Sequence, residues 1–357
     1  MPQSIGPRSS ICIVRLSAIG DVCHVTAVVQ AIQRQHPQSP ITWIIGRLEH
    51  TLLGDLPGIE FIIFDKSRGL GAYRDVLRQL KGRAPFDVLL QMQTSFRSNL
   101  LGKILRAKRK IGLPNGYGKE LHNLVVNEHV PGSEAFHVLD VYKGFAHILD
   151  VPPFDAAWSI PISENDQRRA SELVNHNQTY LLLAPSASNS ERIWNPENYA
   201  ALADYAHSKG MTVVVTGSPA QRDIDLARQI CELADNAIVN VAGKTSLKEL
   251  LALCRQARVV VGPDSGTLHM ATTQQTPVIG LYAHSNPFRT GPYHGLSYVA
   301  NSYADIMASR GLQKQMKQWG YRLKGAELMR EIELETVTSL LDRVLSSTEK
   351  RPSVSMN

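Results

Sequence analysis

Ile11-Cys-Ile-Val14, followed at once by Arg15-Leu-Ser-Ala-Ile-Gly-Asp21-Val-Cys-His24, decides the fold class of this chain. The first four residues form a short apolar, mostly β-branched run, the signature of a buried strand. From Val22 the pattern changes to helical spacing, with Val22, Val25, Val28, Val29 and Ile32 on one stripe. A strand feeding a helix through so short a turn is the first half of a βαβ unit, and βαβ units build parallel sheets. In such sheets ligands bind beyond the carboxyl ends of the strands. Asp21 therefore stands where chemistry is expected, either as a first-turn acid that complements the helix dipole or as a general base.

The alternation continues along the chain. Strands are expected at 10–15, 41–46, 60–64, 86–91, 109–112 and 124–127, with helices at 22–36, 70–82, 97–106 and 136–149. After a proline-marked stretch from Val151 to Ser163, a second series follows. Its strands are expected at 180–184, 211–216, 237–241, 258–262 and 277–282, and its helices at 196–209, 220–232, 246–255 and 266–274. A final amphipathic helix is expected within 326–347. At 357 residues the chain exceeds the ~250–300 at which one core usually divides. We therefore expect two doubly wound α/β domains, residues 1–160 and 161–325, facing a central cleft.

Composition narrows the function classes. No apolar run approaches the ~20 residues of a membrane span, and residues 1–7 lack the basic and apolar regions of a signal peptide. The four cysteines are scattered without metal-binding spacing, which fits reduced thiols in a cytoplasmic protein. The net charge is +6, yet Lys66 to Lys119 holds thirteen lysines and arginines against Asp75 and Asp87, a local +11. Such a field attracts phosphate- or carboxylate-bearing partners, an anionic membrane surface among them. Nucleic acid is disfavoured, because this segment contains strand and helix cores and few interleaved aromatics. The missing Gly-x-Gly-x-x-Gly fingerprint disfavours a nucleotide-dependent oxidoreductase. A solute-binding protein would call for an export signal.

Gly262-Pro-Asp-Ser-Gly-Thr-Leu-His269 is the most specific motif. A buried strand runs into a small-residue turn that opens a helix, with Asp264 able to cap it and the N–H groups of Ser265, Gly266 and Thr267 directed outward. That arrangement holds a phosphate. Ala184-Pro-Ser-Ala-Ser-Asn-Ser-Glu-Arg192 adds the hydroxyls of Ser186 and Ser188 and the cation of Arg192. Thr216-Gly-Ser-Pro-Ala-Gln221 and Gly243-Lys-Thr-Ser-Leu247 end two further strands of this half. Four such turns describe a nucleotide pocket. Asp223-Ile-Asp225 matches a metal-holding Asp-x-Asp only superficially, since acids in a first helical turn favour the dipole. In the first half, Gln93 and Arg97 follow the strand at 86–91, Lys66 and Arg68 follow that at 60–64, and His137 opens a helix. Together they form a cationic rim.

These residues carry a family resemblance. The Arg15–Val22 turn, Gly243-Lys-Thr-Ser-Leu247, Pro263–His269, and Gly280-Leu-Tyr-Ala-His-Ser-Asn-Pro287 followed by Gly291-Pro292 look like the bacterial lipopolysaccharide heptosyltransferases, glycosyltransferase family 9. The opening through His24 most resembles heptosyltransferase I. The resemblance implies a GT-B fold with the C-terminal helix crossing back to the N-terminal domain. It further implies inverting transfer of L-glycero-D-manno-heptose from ADP-heptose to Kdo-lipid A, with no metal or other cofactor, at the inner face of the inner membrane. By position Asp21 matches the catalytic base, and Arg192 a lysine on the donor diphosphate. Asp264, Ser265, Gly266, Thr267, Leu268 and His269 match the donor-binding turn, with Thr245 and Leu247 beside the adenine. The donor set is completed by Ser186, Ser188 and Gln221, which stands where relatives have a ribose-binding glutamate. Ala283-His284-Ser285 replaces the family's common Gly-Pro-Thr. The acceptor, met by the basic rim, is expected at Arg15, His24, Lys66, Arg68, Gln93, Arg97, Lys119 and His137. Heptosyltransferases II and III and other sugar-nucleotide enzymes on the same fold are the alternatives.

Overall fold

The computed structural model describes residues 5–118, 121–132, 136–174 and 179–347, in two compact units that part between Pro161 and Ile162. In the first unit, β1 (Ile11–Val14) leads into α1 (Ile19–Gln35), β2 (Ile41–Gly46) into α2 (Arg47–Leu53), and β3 (Ile59–Phe64) into α3 (Leu70–Gln79). β4 (Phe86–Gln91), α4 (Phe96–Ile104), β5 (Ala107–Gly112), β6 (Glu128–His129) and α5 (Val138–His147) complete it. All six strands are parallel, in the order β3-β2-β1-β4-β5-β6. β1 and β2 are buried along their whole length, as central strands covered on both faces must be. The core gathers Val14, Ile44, Phe64, Leu89 and Leu101.

The second unit opens with α6 (Glu164–Leu173), whose first turn is capped by the Ser163 hydroxyl. β7 (Tyr180–Leu183), α7 (Pro196–Ser208), β8 (Thr212–Val215), α8 (Gln221–Leu233), β9 (Val239–Asn240) and α9 (Leu247–Gln256) follow. Then come β10 (Val259–Pro263), α10 (Gly266–Thr273), β11 (Val278–Tyr282), α11 (Pro287–Thr290), β12 (Val299–Asn301), α12 (Tyr303–Ser309) and α13 (Leu334–Ser346). The parallel order is β12-β11-β10-β7-β8-β9, the same winding as in the first unit. Local chemistry sets the helix starts: Pro196 occupies the first turn of α7, and Ser246 and Glu249 form a reciprocal capping box on α9.

Two expectations are corrected. The apolar run at 124–127 is not a strand: His122–Leu124 is a 3-10 turn, and the edge strand is only Glu128–His129. Val125 and Val126 instead fill the space that side chains on Gly102 and Gly112 would need. The C-terminal helix does not spend its apolar face on the first domain. Val337, Leu340, Leu341 and Val344 of α13 join the second unit's core with Trp194, Tyr199, Leu202 and Leu281. The approach is fixed by Trp194, whose indole N–H donates to the Ile332 carbonyl at 2.9 Å. α2, α6, α11, β12 and α12 were not expected from the sequence.

This packing makes a testable statement about α13. Leu341 is fully buried, so Leu341→Ala is expected to cost ~2–5 kcal/mol. Hydrogen exchange under increasing urea would read the loss as weakened protection of α7 and β11. Unchanged protection there would place the helix outside this core.

Candidate active site

In each sheet the chain winds outward from a central pair of strands, β1/β4 in the first unit and β7/β10 in the second. At such a reversal the following loops leave toward opposite faces, and a crevice opens beyond the carboxyl ends. Both candidate sites lie at these points.

In the first unit side chains stitch the crevice. Gln93, beyond β4, accepts hydrogen bonds from the backbone N–H of Leu16 (2.7 Å) and Ser17 (3.3 Å). Its amide donates to the Ser95 hydroxyl at 3.2 Å. Arg15 is buried and donates from Nη1 to the Met92 carbonyl and the Tyr142 hydroxyl, both at 2.6 Å. Its Nη2 forms an ion pair with Asp21. Burial opposes the Arg15 charge, but Asp21 and Tyr142 outweigh it and keep the guanidinium charged. Asp21 sits in the first turn of α1 with its side chain 34% exposed, and its Oδ1 accepts a bond from the Tyr142 hydroxyl at 3.4 Å. It is thus a positioned, reachable carboxylate. Gln93 and the two terminal nitrogens of Arg15, residues expected to bind the acceptor, hold this turn.

The remaining acceptor candidates divide. His24 and His137 are buried and pack ring against ring, with centroids 5.4 Å apart. The His137 imidazole also accepts from the Leu139 N–H and so caps α5. Packing and capping are the roles these positions give them. Lys66 and Arg97 are exposed beyond β3 and β4, whereas the exposed Arg68 pairs with Asp75 at 2.8 Å. Lys119 lies outside the described residues. Much of the basic segment is neutralised away from this edge, through Arg83–Glu60, Lys108–Asp87 and Arg109–Glu128. The sequence reading missed Tyr142 and also Glu49. Glu49 is buried in the first turn of α2, and burial raises its carboxyl pKa against the pull of Lys66 and Arg15. A Cβ on Gly46 would lie 2.4 Å from the Leu16 carbonyl oxygen as well as 2.3 Å from Glu49 Oε2, and because the first is backbone only glycine fits there. A glycine at a strand end three residues before an acid was the available signal.

In the second unit Asp264 is a buried hub. Its carboxylate accepts hydrogen bonds from the hydroxyls of Ser285 (3.0 Å) and Thr290 (3.3 Å). Arg192 Nη1 lies 3.5 Å from it and also donates to the Asp264 carbonyl at 3.3 Å. His269 Nε2 is 3.7 Å away. Burial alone would raise the Asp264 pKa, but His269, Arg192 and Arg322 overcome it and hold the value at about 2. Asp264 therefore does not cap α10 as expected. The N-cap is Ser265, which makes no side-chain capping bond, so the first-turn N–H groups stay available. The Ser265 and Ser186 hydroxyls are buried, and neither has a hydrogen-bond partner among the described residues. They follow β10 and β7, the two strands at the reversal. Gly262 permits this closeness: a Cβ there would lie 2.4 Å from the Ala184 carbonyl oxygen.

The other donor candidates are spread along the same edge. Gly266 and Thr267 are partly exposed, while the Leu268 side chain is core. Ser188 is exposed, and Thr245 and Leu247 are partly exposed beyond β9. Gln221 is exposed and donates to Asp225 at 2.9 Å. The Asp223–Asp225 pair is divided: Asp223 accepts from the Ser218 N–H and hydroxyl, and Asp225 pairs with Arg228. A cation missed by the sequence reading is Arg322. Its backbone bridges Ser285 in antiparallel fashion, and the adjacent Leu323 N–H donates to the His284 carbonyl at 2.9 Å. No local sequence pattern signals it.

Comparison with known proteins gives this geometry a family. The model of glycosyltransferase family 9 (heptosyltransferase) matches residues 73–320. The chain is 40% identical to the lipopolysaccharide core heptosyltransferase OpsX of Haemophilus influenzae, over 96% of this chain and 99% of that one. The crystal structure of a family 9 glycosyltransferase from Veillonella parvula shares the fold, with a TM-score of 0.79 at 21% identity over 97% of this chain and 98% of that chain. The structure of E. coli heptosyltransferase WaaC with ADP does so with a TM-score of 0.70 at 16% identity, over 94% and 99%. The two doubly wound units, with their sites at matching strand reversals, belong to a glycosyltransferase of family 9, the heptosyltransferases.

Proposed function

We propose that the protein moves L-glycero-D-manno-heptose from ADP-heptose to Kdo of the lipopolysaccharide inner core, with inversion at the anomeric carbon. One observation carries the donor half of this reading. The first turn of α10 has no side-chain cap and is flanked by the partnerless Ser186 and Ser265 hydroxyls and the Arg192 guanidinium. Buried hydroxyls left unsatisfied are costly, and a bound diphosphate would satisfy them. Further support comes from the OpsX relative, named as a lipopolysaccharide core heptosyltransferase, and from the WaaC structures, described with ADP and with an ADP-2-deoxy-2-fluoro heptose.

The chemistry follows from charge placement. Asp21 accepts the proton of a Kdo hydroxyl as that oxygen forms its bond to the anomeric carbon. The bond to ADP breaks on the opposite face, and ADP leaves with the electron pair. The growing negative charge on the diphosphate is met by the N–H groups of Ser265, Gly266 and Thr267 and by Arg192. The positive charge this step needs comes from the protein itself, so the reading requires no metal. Arg15 and Tyr142 hold Asp21 in place and take no proton themselves.

We further propose that, with this acceptor, the protein works at an anionic membrane surface, on the cytoplasmic side of the inner membrane. Among the described residues no helix is long and apolar enough to cross a membrane. Beyond the carboxyl ends of β2, β3 and β4 the first unit instead exposes Lys66 and Arg97 together with Leu48, Leu70 and Phe96, at 58%, 78% and 62%. Cations interleaved with apolar side chains suit an anionic lipid interface.

Three measurements test these statements. Mass spectrometry of Kdo-lipid A incubated with enzyme and ADP-heptose should show an added heptose. A heptose-terminated acceptor modified in preference would move the assignment to a heptosyltransferase II or III. Asp21→Asn should lower turnover by at least ~10² while ADP affinity, read by calorimetry, stays within about twofold of wild type; near-normal turnover removes Asp21 from the role of base. The protein should sediment with phosphatidylglycerol-containing vesicles at low salt and release at ~1 M salt, where the Debye length is ~3 Å. Equal binding to pure phosphatidylcholine would contradict electrostatic docking.

A further inference from the structure

Segment 322–325 is latched onto the end of β11 by three contacts. Ser285 and Arg322 bridge through their backbones, the Leu323 N–H donates to the His284 carbonyl at 2.9 Å, and His284 Nε2 lies 2.8 Å from the Gly325 carbonyl oxygen. His284 and Ser285 are both nearly inaccessible, so the latch is part of the folded unit. Ser285 also spends its hydroxyl on Asp264. The residue opposite Arg322 is thus itself bonded to the hub of the donor site.

The result is an imbalance of charge. Arg192 is held against Asp264 by two contacts from a single nitrogen, with its side chain only 12% exposed. Arg322 is exposed, and its side chain makes no hydrogen bond or ion pair among the described residues. Its charge is nevertheless felt by both Asp264 and Arg192. Two guanidiniums thus act on one carboxylate, and only Arg192 is in contact with it. Like charges brought together by the backbone are destabilising until an anion arrives between them. A planar guanidinium with open N–H groups is well suited to phosphate oxygens.

We propose that Arg322, presented by the His284–Ser285 latch, is a second cation of the donor site and binds the diphosphate of the nucleotide. The assignment rests on the donor reading given above and adds a residue to it. Arg192 fixes the turn through Asp264, and Arg322 supplies the second positive charge to the diphosphate. A contact to the diphosphate favours ADP over AMP, whereas a purely structural role affects both nucleotides alike.

Calorimetry with ADP and AMP on Arg322→Ala and Arg322→Lys tests this, with thermal unfolding as a check on the fold. Arg322→Ala should weaken ADP binding by about tenfold or more, the loss of a charge-assisted hydrogen bond. AMP should change by about twofold or less, and Arg322→Lys should fall between wild type and Arg322→Ala for ADP. ADP affinity within about twofold of wild type overturns the assignment, as does an equal loss for both nucleotides. A wild-type protein that binds neither nucleotide overturns the donor reading together with it, an outcome distinct from either of these.

Discussion

Everything at the two sites depends on ion pairs, each with a largely buried arginine, placed where strand order reverses. Arg15 with Asp21 and Arg192 with Asp264 each lie beyond the central strands of a parallel sheet. Taking such charges out of water costs nearly as much as their attraction returns, so they add little net stability. What they supply is position. Arg15 ties the β1 turn to Met92 and Tyr142 and leaves one third of the Asp21 side chain reachable. Asp264 gathers Arg192, His269, Ser285 and Thr290 and so leaves the start of α10 uncapped. An acid is presented at one reversal and a set of hydrogen-bond donors at the other.

Most strands and helices were legible because their signals are local. Ile11–Val14 and Ile41–Gly46 are continuous apolar runs, and continuous burial is what a central parallel strand requires. The turn after β10 was legible for a similar reason: small residues between a buried strand and a helix leave few other conformations. Asp21 and the 264–269 turn were placed at strand ends by this reasoning, and the structure puts both at strand reversals.

What the sequence concealed depends on distant partners. Leu124-Val-Val126 looks like a strand until Gly102 and Gly112, from other elements, open space for the valines. The stripe on α13 shows that the helix is amphipathic but not which core it serves; Trp194 and Ile332 settle that. Gln93 and Arg15 look like ligand contacts, because a polar side chain beyond a strand end reads the same whether it binds substrate or backbone. Asp264 looks like a helix cap until Ser285 and Thr290, more than twenty residues on, claim its carboxylate. Tyr142 and Arg322 had no local pattern to mark them as parts of a site, and Glu49 had only the strand-end glycine three residues before it.

The family assignment and the geometry meet at the second strand reversal, where the Ser186 and Ser265 hydroxyls have no partner among the described residues and α10 has no side-chain cap. A crystal structure of the protein with ADP examines that point most directly. The account predicts diphosphate oxygens within hydrogen-bonding distance of the α10 first-turn N–H groups and the hydroxyls of Ser186 and Ser265, with Arg192 alongside. ADP bound with its phosphates away from this turn, those hydroxyls still without partners, would contradict it.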